Sequence, residues 1–450
     1  MRRRVLLKFG GTTSIAWPLA AGWPHHGSGY DPEITLRAGV HQPQPPTWQN
    51  PAQTFDLWSG KKARRNGRRH QQREENIMTK RSDTRATRRR FLAGAAAGGA
   101  LIAMPQVSRA QTATFKMQGS WGKADVFNEF AEDYVKRVNE MGGGRLRIDY
   151  LVGGSVVHPF QVFDGVHGGQ IDAAHTVTVY WYGKHKAASL FGTGPVFGFN
   201  ANEGLGWIHN GGGKELFEEL QTQIMKVNIK SFFAMPMPTQ PLGWFKKAIT
   251  SDADLKGLKY RTVGLAADLF QVLGASVAQL PGGEIVPAME RGVIDGFEFN
   301  NPTSDRRFGA QDVAKYYMMG SHHQATEYFE IMFNRTKFNA LPAEQKAILQ
   351  YAAEALSSAN EWKGMDYYSK DLQELMTKEK VNVLRTPKSV FEAQIKAWDG
   401  IIAQLGSDPF MKKVMDSQKA WVRRVVFYGI YNATDYRGAF EHHFPGVLKI

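Results

Sequence analysis

The 450-residue chain predicts an α/β protein of two lobes around a shared ligand cleft, with a mostly helical C-terminal part. Three observations carry this. Strand-like and helix-like segments alternate from residue 112 to past residue 290, one helix-to-strand step occurs twice, and the pattern changes to long helices from Leu341.

In chain order, "TATFKMQG" and "RLRIDYLV" alternate as strands do. Between them "ADVFNEFAEDYVKRVNEM" sets Val126, Phe130, Tyr134 and Val138 on one helical stripe, which stops at Gly142-Gly143-Gly144. Further on, the helix "KELFEELQTQIM" precedes the strand "NIKSFFAM", and the strand "LKYRTV" precedes the helix "AADLFQVLG". Beyond Leu341, "LPAEQKAILQYAAEALSSANEWKGMDYYSKDLQELM" and "SVFEAQIKAWDGIIAQL" read as long helices.

The repeated step is "PFQVFDGVHGGQIDAAH" (Pro159–His175) and "PAMERGVIDGFEF" (Pro287–Phe299). Each reads as a Pro in a first helical turn, a short helix, a Gly able to take the left-handed conformation past the helix end, and an Ile-Asp strand start. Ligands of open α/β sheets collect beyond the carboxyl ends of strands. Tyr180, Trp181 and Tyr182 in one lobe and Glu298, Phe299 and Asn300 in the other are therefore expected to face the cleft. An aromatic trio is equally compatible with packing inside a lobe.

Charge is unevenly placed. Residues 1–110 hold 19 Lys/Arg against 6 Asp/Glu, a net of +13 out of +14 for the whole chain, so residues 111–450 are close to neutral at 37 against 36. The basic balance thus belongs to the leader, and nucleic acid is excluded as a partner. Within it, "TRRRFLAGAAAGGALIAMPQVSRAQ" has paired arginines, an apolar run of about 14 residues and small residues around Ser108-Arg109-Ala110. That layout is a cleaved export signal of twin-arginine type over 78–110, too short for a membrane span. Upstream, 1–77 is rich in Pro, Gln and Arg without apolar period. It is expected to be disordered or a mis-assigned extension, with Met78 the natural start. There is no cysteine, which excludes disulfides, thiolate catalysis, Fe–S clusters and Cys-ligated zinc.

"GGEIVPAMERGVIDGFEF", "DLKGLKYRTVG", "VYWYGKH" and "LPAEQKAIL" together resemble the periplasmic solute-binding subunit of tripartite ATP-independent periplasmic (TRAP) transporters. The likeness covers nearly all of 112–450 and is strongest to the branch that binds 2-oxo and 2-hydroxy monocarboxylates such as pyruvate or lactate. It implies hinge strands between the lobes and a division into 112–238 with 300–328 as lobe I and 239–299 with 329–400, including a long crossing helix, as lobe II. It also implies a C-terminal helical segment, 401–450, that pairs two copies, and delivery of the ligand to membrane permease subunits.

The same resemblance assigns site residues. Arg261 matches an arginine that pairs with the substrate carboxylate, a task suited to a planar guanidinium fork; a structural ion pair is the alternative for any such arginine. Gln240, Glu298, the Phe299 carbonyl and Gln324 match the ligands of a bridging metal ion, although relatives often carry Glu at the position of Gln324. All four donors are oxygens, which indicates Na⁺ or Ca²⁺. His322-His323 reads as structural, Asp295 and Glu298 lack a supporting nucleophile, and the glycine runs at 211–213 and 281–283 read as turns. Two functions stay open at this point: a periplasmic binding protein for a small carboxylate, or a secreted enzyme with Glu298 as base and the metal as Lewis acid.

Overall fold

The computed structural model describes residues 112–448 apart from Val196; the segments 1–77 and 78–110 lie outside the described residues. In chain order the strands are β1 (Ala113–Gly119), β2 (Leu146–Leu151), β3 (Ala173–Val177), β4 (Ile229–Met237), β5 (Gly243–Phe245), β6 (Lys259–Arg261), β7 (Ser276–Ala278), β8 (Gly296–Phe297), β9 (Tyr316–Met319), β10 (Glu327–Asn334) and β11 (Asn382–Arg385). They form two mixed sheets, in the order β2-β1-β3-β10-β4 and β11-β9-β5-β8-β6-β7.

The first sheet follows from its sequence. Phe115 and Met117 of β1 pack inward beside Tyr134 and Val138, so the expected stripe of helix Val126–Gly142 covers this face. Asp125 caps that helix by accepting from Phe127 N. β1 runs parallel to β2 and β3, whereas β10 lies antiparallel between β3 and β4, with Ile331 opposite both His175 and Phe232. All eight residues of β10 are buried, as a central strand covered on both faces requires.

β9 and β10 correct the expected division. Residues 300–319 do not return to lobe I: Phe308, Ala310 and Ala314 share the second core with Trp244 and Tyr317, and β9 pairs with β5 and β11. The chain re-enters lobe I at β10, of which 329–334 fall in the stretch assigned to lobe II. Both strands are apolar runs, and the pattern of a run does not say which sheet it joins. The chain therefore passes between lobes over 238–242 and 320–326, and a third time in the helix Ala343–Thr377. Leu349, Ala352, Ala353 and Leu356 of this helix pack in the first core and Leu375 packs in the second. At 35 residues it is roughly 50 Å long, enough to reach both.

The repeated step is present with one difference. Gly169 (φ 78°) and Gly292 (φ 69°) both take the left-handed conformation after their helices. Pro159 begins its helical segment, but Pro287 lies inside the helix Gly282–Glu290, which starts five residues before it. Helices Pro409–Asn432 and Tyr436–His443 complete the C-terminal part. Met411, Val414 and Met415 pack against Leu190 and Trp207 of the first lobe, while Phe427, Tyr428, Ile430 and Tyr431 are 65–85% exposed. Among the described residues no helix is long and apolar enough to cross a membrane.

The first lobe also buries a carboxylate. Glu330 of β10 accepts from Trp181 Nε1 at 2.7 Å, Ser231 Oγ at 2.6 Å and Gln221 Nε2 at 3.4 Å. Burial nevertheless pushes its carboxyl up from 4.5 to about 7, against the pull of the Ser231 and Trp181 bonds. A carboxyl raised in this way contributes stability that is complete below its unfolded pKa and is lost as pH rises through about 7. Glu330→Gln, which cannot ionise, should therefore gain on the native protein in melting temperature between pH 5 and pH 8. Parallel melting curves across that range would show that Glu330 titrates normally.

Candidate functional site

The two parallel strands β6 and β8 place the site. Their register sets Arg261 beside Phe297, so the next residue, Glu298, emerges at the carboxyl end of the sheet next to the guanidinium. Arg261 is 1% exposed. Its Nε donates to the Leu280 carbonyl at 2.8 Å, and Nη1 donates at 2.9 Å to both the carbonyl and Oε1 of Glu298. The guanidinium carbon lies 5.6 Å from the centre of the Phe299 ring.

This arrangement modifies the expected fork. Nη1 is already engaged by Glu298, which leaves Nη2 as the nitrogen with no protein partner among the described residues. The structural ion pair foreseen as an alternative is therefore present, and Arg261 keeps one nitrogen for another anion. Glu298 likewise has one oxygen engaged, while Oε2 is buried without a partner. Burial pushes its carboxyl up to about 7, with Arg261 and then Thr262 pulling it down.

The hinge supplies the second group. Gln240 N donates to the Gln324 carbonyl at 3.0 Å, and Thr239 Oγ1 donates to the Ala325 carbonyl at 3.1 Å, so the two interlobe segments run side by side. Gln240 Nε2 reaches Asn300 Oδ1 at 3.3 Å, which joins the hinge to the loop after β8. Gln240 Oε1 and both polar atoms of the Gln324 amide are buried without partners. Buried polar atoms in folded proteins are nearly always paired, so a set of orphans on neighbouring residues points to a ligand. Three of these orphans, Gln240 Oε1, Gln324 Oε1 and Glu298 Oε2, are oxygens suited to a hard cation. Among the described residues no three His, Cys, Asp or Glu cluster in a way that would hold a metal. Any cation here would rely on amide and carbonyl oxygens with a single carboxylate.

Of the aromatic trio, Tyr180 packs against Phe160 at 4.6 Å between ring centres, and its phenol is raised by burial and lowered by Arg261. Trp181 does not line the cleft. It is buried against Phe163, Ile171 and Ala174 and donates to Glu330, because successive residues of this short 3₁₀ turn point in different directions. Tyr182 crosses to the other lobe, where its hydroxyl donates to Asp268 at 2.6 Å. His322 is half-buried at the rim, and His323 is fully buried, 2.6 Å from Ser321 Oγ and lowered to about 3 by burial, then Arg261 and His322.

One supporting residue was not foreseen. Asp305, fully buried, accepts from Asn300 N at 3.2 Å, Trp244 Nε1 at 2.9 Å and Tyr317 OH at 3.1 Å, and so fixes the loop Glu298–Asn300 to the second core. In sequence it is an ordinary acidic residue in a first helical turn, after Asn301 and Pro302.

Two lobes joined by paired hinge segments, with orphaned oxygens and a buried arginine between them, define a two-lobed solute-binding protein. Residues 117–406 match the profile of the DctP family, bacterial extracellular solute-binding proteins of family 7, and the chain belongs to that family. A monocarboxylate 2-oxoacid-binding periplasmic protein of Nostoc sp. is 31% identical over 324 residues, covering 72% of this chain and 87% of the relative. A TRAP periplasmic solute-binding protein of Pseudoalteromonas atlantica, solved with bound sodium and pyruvate, superposes with a TM-score of 0.68 at 29% identity, covering 74% of this chain and all of the other. One from Bordetella bronchiseptica, a mixed-occupancy dimer with copurified calcium and picolinate in one active site and the other apo, has a TM-score of 0.68 at 27% identity, covering 74% and 97%. The family and these neighbours are solute-binding transport proteins, which decides against the enzyme reading.

The clamp at Asp305 is testable. Asp305→Ala leaves the Trp244, Tyr317 and Asn300 donors unpaired and buried, at about 1–3 kcal/mol for each group. Urea denaturation should show a loss of at least about 2 kcal/mol, and an unchanged midpoint would mean that the loop is held by other contacts.

Proposed function

We propose that the chain is exported by its twin-arginine signal to the periplasm, captures a small 2-oxo or 2-hydroxy monocarboxylate of the pyruvate and lactate type, and delivers it to TRAP permease subunits in the membrane. Arg261 takes the substrate carboxylate through Nη2, Phe299 presents its ring, Tyr180 closes the lobe I side and the Asn300 amide borders the site. Gln240, Glu298, the Phe299 carbonyl and Gln324 hold a Na⁺ or Ca²⁺ ion. When bound, that ion would supply positive charge that offsets the Glu298 carboxylate and attracts the anionic substrate. The observation that carries this reading is the set of buried, unpartnered oxygens on Gln240, Gln324 and Glu298 beside the half-used guanidinium of Arg261.

The chain's own groups give the reading its selectivity. Arg261 Nη2 is a charged donor already fixed in place by Leu280 and Glu298, so little side-chain freedom is lost when an anion arrives. With Tyr182 and Lys186 of one lobe on Asp268 of the other, the lobes hold each other over the site once closed.

If cation and substrate share one site, each tightens the other by the same factor. Arg261→Lys keeps the charge but loses the fixed planar donor set, and substrate affinity should fall by about 1–3 kcal/mol. Glu298→Gln should weaken the cation first and the substrate only through it. Calorimetric titration of pyruvate with Na⁺, with Ca²⁺ and with chelator checks this, and an affinity indifferent to all three leaves an arginine-anchored pocket without metal.

We also propose a homodimer built on the C-terminal segment, supported by the exposed Phe427, Tyr428, Ile430 and Tyr431 at the end of helix Pro409–Asn432. Sedimentation at micromolar concentration should give the dimer mass. Phe427→Glu with Tyr431→Glu should give the monomer while leaving substrate affinity intact.

A further inference from the structure

Lobe I carries a second group of buried polar atoms, which reaches the second lobe close to Arg261. Thr178 follows directly on β3 and Glu327 opens β10, so both stand at the end of the first sheet that faces the hinge. Gly192 lies between them. A side-chain carbon added there would stand 2.6 Å from Glu327 Oε1 and 2.8 Å from Thr178 Oγ1, and its carbonyl is held by Thr326 Oγ1 at 2.6 Å. Ser189 and Thr193 flank this glycine, and Ser189 Oγ abuts Gly264 of the other lobe, three residues past Arg261. Gly264 has φ 64° and lies so close to Val179 and Ser189 that no side chain fits.

The hydroxyls of Thr178, Ser189 and Thr193 are all fully buried and have no protein partner. Glu327, 2% exposed, takes part in no ion pair among the described residues, and its carboxylate accepts only from Tyr328 N at 3.3 Å. A wall of three unpaired hydroxyls beside a carboxyl with a single long hydrogen bond is costly in an apolar interior and is satisfied by a polar guest. Burial holds the Glu327 carboxyl well above its usual range, Tyr328 N pulls it down and Glu298 pushes it further up, so the wall and the Arg261 site feel one another.

We propose that Thr178, Ser189, Thr193 and Glu327 receive the end of the ligand remote from its carboxylate, and that this ligand bears a hydroxyl there. The substrate class is then a hydroxylated 2-oxo acid, of which 3-hydroxypyruvate is the smallest, in preference to an alkyl 2-oxo acid of equal size. This rests on the binding function proposed above and adds to it the identity of the distal group. The ligand hydroxyl donates to one oxygen of the wall and accepts from another, while the carboxylate stays on Arg261. A site built to bond a hydroxyl rejects the analogue lacking it far more strongly than an apolar pocket rejects an added one.

The test compares 3-hydroxypyruvate with 2-oxobutyrate, which has a methyl in place of the hydroxyl, by calorimetry on the full chain. The hydroxylated acid should bind at least about tenfold more tightly. In Thr178→Val with Thr193→Val, which keeps the shape, this preference should collapse toward unity. The native comparison alone decides the matter if the double variant fails to fold. Equal or tighter binding of 2-oxobutyrate overturns the polar-wall assignment and leaves the 2-oxo acid function standing. Failure of pyruvate and both analogues to bind overturns that function and this assignment together.

Discussion

A guanidinium and a carboxylate shut away from water, Arg261 and Glu298, set the terms for the lobe around them. Such a pair is tolerable only where its remaining hydrogen-bonding capacity is met by well-placed partners. The parallel register of β6 and β8 supplies the Glu298 carbonyl, the turn before helix Gly282–Glu290 supplies the Leu280 carbonyl, and the Phe299 ring lies beside the guanidinium. Asp305 then pins the loop on which Glu298, Phe299 and Asn300 are carried. What this frame leaves unmatched is one cationic nitrogen and one carboxylate oxygen, a pairing of opposite signs that a small anion with a counter-ion would complete.

Much of this was legible in the amino-acid sequence, for reasons that differ by residue. Glu298 could be located because the residues following an Ile-Asp strand start are fixed by local pattern, which a sequence displays, whereas Arg261 was assigned by the family resemblance of the strand "LKYRTV". Trp181 was misplaced because a run of three aromatics after a strand does not reveal whether the backbone continues extended or turns, and here it turns, sending the indole into the core toward Glu330. The exchange of β9 and β10 between lobes escaped for a related reason: pairing partners hundreds of atoms away leave no trace in an apolar run of four or eight residues. The engagement of Arg261 Nη1 by Glu298 depends on three-dimensional register alone.

The lobes are also bound to each other more thoroughly than a division into two domains suggests. Leu265 and Leu269 of the second lobe share a core with Phe191, Trp207 and the helix Lys388–Leu405, and Ser304 of the second lobe donates to Asp125, the cap of a first-lobe helix, at 2.7 Å. The long helix belongs to both cores.

The paired hinge segments have a mechanical meaning. Tied at Gln240–Gln324 and Thr239–Ala325, they form a ribbon, which flexes across its flat face more readily than within its plane, so the pair favours rotation about one axis. Displacement in a rotation grows with distance from the axis. Gln240 and Gln324 lie on it and move least, whereas Arg261 is carried by one lobe and Tyr180 by the other. In the binding mode proposed above, a departing guest would lose the two lobes' grip while the hinge amides stay in place, so the last contact to break would also be the first that a newcomer meets.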